Sequence, residues 1–210
     1  MIRTLIALFM LILTPRLMAV TPATLAEESD LVAVAVVEQA DYQKTRNFPS
    51  SGSAFLKLLI VYKGDEEVGD WIEVKEKGLG DEKCYYPEPN PFVFEGARFF
   101  VFLRKENDVY RGVAPGCKVP LYVTDSNQYA VQYPVDGLDV PPEAAQKLTF
   151  TDPAAVVEAG DFTSSQITEL TETYHAELIP TGPYEPNLQN YRYTMGVPLS
   201  DFRRLAFPPQ

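Results

Sequence analysis

Between residues 29 and 133 the chain is a succession of short, apolar, β-favouring runs, each closed by turn chemistry. Leu31 to Val37 (LVAVAVV) alternates large and small apolar residues, and Ala54 to Tyr62 (AFLKLLIVY) is apolar and rich in strand formers. Lys63-Gly64-Asp65-Glu66-Glu67 breaks that run with turn residues. Trp71 to Lys77 (WIEVKEK) puts Ile72 and Val74 on one face and Glu73 and Lys75 on the other, the pattern of a strand with one wet side. Arg98 to Arg104 (RFFVFLR) is an apolar strand capped by charges. Glu106-Asn107-Asp108 reads as a hairpin turn into Val109 to Val113, and Asp125-Ser126-Asn127 joins Leu121–Thr124 to Gln128–Tyr133. Five or more short strands with late hairpins, and no helix-rich first half, predict a mainly β chain built on a small barrel. Gly78, Gly80, Pro87, Pro89 and Pro91 exclude a helix between strands three and four.

The composition changes near residue 136, where Pro141-Pro142 opens a linker-like stretch. Asp152-Pro153 starts a helical turn, with proline at its first position. Thr163 and Gln166 form a capping box, and Phe162 with Ile167 a hydrophobic staple. Ile167, Leu170, Tyr174 and Leu178 then fall on one helical face. Residues 179–199 carry four prolines and read as extended coil, either docked or disordered. Ser200 to Leu205 allows one or two last helical turns. The expected organisation is a signal peptide over 1–19, a barrel domain over 27–136 with an extra hairpin, and a helical and coil extension over 137–210.

Export rests on the first twenty residues. Arg3 precedes nine apolar residues, Leu5 to Leu13, then Pro15 and Leu17-Met18-Ala19. That is a basic n-region, an h-region and a small residue at the cut. Nine apolar residues are about half of the roughly 20 a spanning helix needs, so a membrane anchor is the weaker reading. Cleavage after Ala19 is favoured, with Ala23 and Ala26 as alternatives. It removes Arg3 and Arg16 and no acid, taking the net charge from −11 to −13. Such a balance disfavours nucleic acid and anionic membrane as partners. A periplasmic or secreted location follows, with no membrane anchor after cleavage. The only two cysteines, Cys84 and Cys117, then read as a disulfide closing a span of 33 residues (117 − 84). The loop-entropy model gives such a bond roughly 3–4 kcal/mol. Two buried free thiols are the alternative.

Several short pieces fall in a telling order: Glu28-Ser29-Asp30-Leu31-Val32, Val61-Tyr62-Lys63-Gly64, Val68-Gly69-Asp70, and Phe94-Glu95-Gly96 leading into Phe100-Val101-Phe102-Leu103, closed by Cys117. Together they resemble exported bacterial proteins with a TIMP-like, netrin-module-like OB-fold domain, over about residues 27–118. The resemblance implies an OB-like barrel, exported and disulfide-bonded. The animal inhibitors of that group bind a protease zinc through a cysteine at the mature N-terminus. No cysteine lies near Val20, Thr24 or Glu27, so that wedge is not implied here.

Catalytic sets are sparse. His175 is the only histidine and reads as a solvent-facing helix residue, with no nucleophile signature beside it. One histidine does not furnish the three ligands of a zinc enzyme, and no metal or cofactor is expected. The acidic pairs Glu27-Glu28, Asp65-Glu66-Glu67 with Asp70, and Asp81-Glu82 read as solvated turn residues. Tyr85, Tyr86 and Phe92 follow Cys84 in a proline-rich loop, and Trp71 opens strand three. Aromatics on an irregular loop form a recognition surface or plug a barrel end. The expectation is a non-enzymatic interaction module binding a protein or glycan through these four aromatics. The alternatives are a protease inhibitor without the cysteine wedge, and a hydrolase using Asp65, Glu67 or Asp70.

Overall fold

The computed structural model describes residues 20–45, 48–76, 95–113, 116–160, 162–179 and 189–209. Five strands close a barrel: β1 (Leu31–Thr45), β2 (Phe48–Lys63), β3 (Trp71–Glu76), β4 (Arg98–Glu106) and β5 (Val109–Gly112). Strand β1 pairs antiparallel with both β2 and β4, β2 with β3, and β4 with β5. The parallel contact of β3 with β5, Val74 opposite Tyr110, shuts the ring. This is the strand order of an OB-like barrel. The β1–β2 ladder shifts register at four places, including Val32/Ala33 and Val34/Ala35. Such bulges bend and twist a strand, which lets one long β1 serve two neighbours around a small ring.

Strand β4 also feeds a second layer. Its residues Leu103–Glu106 pair with β5, whereas Arg98–Val101 pair with β6 (Lys118–Val123). The sheet continues through β7 (Tyr129–Gln132) and β12 (Met195–Pro198) to the two-residue β8 (Gln146–Lys147). A separate three-stranded sheet holds β9 (Val156–Glu158), β11 (Asn190–Tyr193) and β10 (Ala176–Ile179).

The apolar runs of β1 and β4 are buried on both faces. Leu31, Ala33, Ala35 and Val37 face the barrel interior with Phe99, Val101 and Leu103. Val32, Val34, Phe100 and Phe102 face a second core with Val119, Leu121, Val131 and Val197. Helices α1 (Pro22–Glu28) and α3 (Leu199–Ala206) cover that core with Leu25, Ala26, Phe202 and Ala206. Phe100 is at its centre, stacked on Tyr62 at 5.5 Å and edge-on to Phe202 at 5.1 Å.

At one end of the barrel Glu66 accepts hydrogen bonds from the Tyr110 hydroxyl and, at 3.1 Å, from the Lys105 ammonium. This ties the β2–β3 turn to the β4–β5 hairpin. The hairpin turns on Asn107 and Asp108, both at positive φ, as its sequence predicts.

The structure corrects the sequence reading in four places. Helix α1 begins before the barrel: Thr21 caps it through the Thr24 amide, with Pro22 in the first turn. Strands β1 and β2 run well past Val37 and start well before Ala54. The capping box of Thr163 and Gln166 is present, but α2 (Ser164–Thr168) passes into a π-helical turn that ends at Thr173. Leu178 therefore lies in β10, 61% exposed, and not on the helix face. Residues 190–198, read as coil, form two strands, and β12 lies within the main sheet.

Candidate functional site

A cleft of about 830 Å³ opens where the start of β4 meets the second layer. Its floor is built from Ala97–Phe99, Val119–Tyr122 and Val131–Gln132. One wall is the turn Asp152-Pro153-Ala154, and the other is Tyr174 and Tyr193 with Pro134–Asp136. The local sequence accounts for each part. Asp152 caps the short helical turn Pro153–Ala155 by accepting from the Ala154 amide at 3.0 Å, and Pro153 fixes the turn's first φ. Tyr174 follows the π-helical turn, and the next residue, His175, takes positive φ and turns the chain into β10. Tyr193 ends β11 opposite Ala176.

Three tyrosines form a connected series, with Tyr122 and Tyr193 rings 6.3 Å apart and Tyr174 and Tyr193 rings 6.5 Å apart. The Tyr174 hydroxyl donates to Asp136 Oδ1 at 2.7 Å. Burial, and then that carboxylate, push the Tyr174 phenol far above its ordinary range. Burial raises Tyr193 as well; Asp136 adds to this, and a hydrogen bond from Gln132 opposes it. The lining side chains include three acids, Glu95, Asp136 and Asp152, and one base, Arg98. The Arg98 guanidinium lies over the Tyr129 ring at 5.7 Å.

Among the described residues, none of the candidate site residues singled out from sequence lines this cleft. Trp71 is 59% exposed at the start of β3, near Val68 at 67%, and neither lines the cleft. Tyr85, Tyr86, Phe92 and Cys84 lie outside the described residues, as do Asp81 and Glu82. Cys117 is fully buried in the second core, and no cysteine among the described residues is free. Asp65, Glu67 and Asp70 are exposed on the β2–β3 turn, where Asp70 accepts from the Glu67 amide at 2.8 Å. None of the three lines the cleft described above. His175 is exposed, but it lies beyond the helix and is stacked on Tyr133, with ring planes 7° apart.

Sequence reasoning missed the cleft residues Tyr122, Gln132, Asp136, Asp152 and Tyr193, and took Tyr174 as helix-face core. Only the clustering of tyrosines near the C-terminus hinted at them. Among the described residues no group of three or more His, Cys, Asp or Glu side chains is placed to hold a metal ion. No helix among them is long and apolar enough to cross a membrane. Neither a scan against protein-family models nor a search of curated proteins finds a match to the chain.

Proposed function

We propose that the protein is an exported, non-enzymatic binding module that holds a partner in the cleft between the barrel and its second layer. The observation that carries this reading is the cleft itself. It is large enough for a ligand segment, mostly apolar on its floor, and edged by a few fixed polar groups. Neighbouring structure sets those groups: Asp136 through Tyr174, and Asp152 through its cap. In this reading the likeness to TIMP-like exported proteins rests on the ordered motifs of residues 27–118, since an OB-like barrel by itself hosts many functions. In the same reading Cys84 and Cys117 are joined, the signal over 1–19 is removed, and the module works in the periplasm or outside the cell.

The test is cross-linked capture by the mature, oxidised protein from its own cell envelope and culture medium, read by mass spectrometry. Ala154 is exposed on the cleft rim, and its hydrogen bond there is donated by a backbone N–H that tryptophan also has. Ala154→Trp therefore fills the cleft without removing a bond. The expected result is a partner enriched by wild type and lost by Ala154→Trp at unchanged melting temperature. Equal enrichment by both forms refutes the cleft as the site.

A further inference from the structure

We infer that the cleft selects a positively charged side chain, arginine or lysine, presented on an extended peptide segment of the partner; this rests on the cleft being the binding site. The argument is the charge balance of the lining and the acceptor positions left open on its carboxylates. The lining brings three carboxylates against one guanidinium, and that guanidinium is engaged over Tyr129. A carboxylate offers about four acceptor positions. In Asp136 one is taken by the Tyr174 hydroxyl, and in Asp152 one by the Ala154 amide.

Of the donors that line the cleft, the Tyr174 hydroxyl is spent on Asp136 and one Gln132 donor on Tyr193. A lining with three carboxylates against one base suits a ligand group that is cationic and only donates. Guanidinium and ammonium are such groups, whereas sugar hydroxyls need partners of both kinds. The tyrosine series adds ring faces that attract a cation. The chain's charge of −11 repels anions and draws cations toward the acidic cleft. A volume of about 830 Å³ holds one long side chain with its flanking backbone.

The probes are a capped Ala-Arg-Ala peptide, its neutral citrulline analogue, and maltotriose, each titrated by calorimetry into the mature protein. The variant is Asp136→Asn with Asp152→Asn, which removes two charges and keeps both accepting oxygens, so the Tyr174 bond and the Ala154 cap survive. Wild type is expected to bind the arginine peptide about tenfold or more tighter than the citrulline peptide. That preference should shrink toward unity in the variant. Equal affinity for the two peptides, or a preference that persists in the variant, overturns the inference. Binding of maltotriose alone also overturns it, yet leaves the cleft as a binding site. If no probe binds, the cationic reading falls, and the Ala154→Trp capture decides the cleft separately.

Discussion

Phe100 shows how much one residue carries here. It is fully buried, and Tyr62, Phe102 and Phe202 all lie within 5.5 Å of its ring centre. Phe100→Ala is expected to cost about 3–5 kcal/mol, from lost transfer energy and the cavity left behind. Urea unfolding checks this, and a loss under 1 kcal/mol, roughly that of a tolerant surface site, would contradict the second core. Gly196 tests the same layer from the backbone. A Cβ there would stand 2.7 Å from the Val131 carbonyl oxygen and 2.7 Å from Phe150 Cζ. Both neighbours are held in place, so Gly196→Ala should destabilise the protein by about 1–3 kcal/mol, an overpacking effect. The run RFFVFLR announces that Phe100 is buried. It does not announce that Phe99 and Phe100 serve two different cores, because that depends on what covers the outer face of β4. The cleft residues were less legible still. Tyr174 has the spacing of a core residue, and only the end of the helix at Thr173 turns it into a wall of the cleft.

Elements whose signals are local were readable from sequence; those defined by distant partners were not. The Asn107-Asp108 hairpin, the capping box at Thr163 and the turn at Asp152-Pro153 all follow from adjacent residues. Strand β12 has three paired positions with β7 and two with β8, partners from elsewhere in the chain. The tie between the β2–β3 turn and the β4–β5 hairpin is likewise non-local, and it has a pH signature. Burial raises the Glu66 carboxyl, but hydrogen bonds from Tyr110 and Lys105 outweigh it and leave the group below the ordinary carboxylate range. A depressed folded value contributes stability above the unfolded value, lost as pH falls through the folded one. Glu66→Gln should cost about 1–3 kcal/mol at neutral pH, and the gap from wild type should close in acid. A gap independent of pH would contradict the assignment. The phenols behave in the opposite sense. Tyr62, Tyr110, Tyr174 and Tyr193 are all raised, chiefly by burial. Stability is therefore full below the unfolded tyrosine value of about 10 and lost as pH rises past it. Tyrosinate absorbance should show a group of phenols that ionise only as the circular dichroism of the fold is lost. Complete titration near the ordinary value with the fold intact would refute this.

The described fold is a small barrel whose sheet continues from β4 into a second layer. Its two cores meet across β1 and β4, and the cleft lies where β4 meets the second layer. The barrel was visible in the sequence as a series of short strands. The cleft was not, because its lining comes from six segments spread over residues 95–193. The account therefore stands or falls on where a partner touches the protein. Photo-cross-linking answers this directly, with a short diazirine amino acid, no larger than leucine and so too small to fill the cleft as tryptophan does, placed at position 154 on the cleft rim or at position 71 on β3, in otherwise wild-type mature protein. The account predicts a discrete adduct from position 154 and none from position 71. An adduct from position 71 alone would place the interaction on the exposed face of β3 and contradict the cleft as the site.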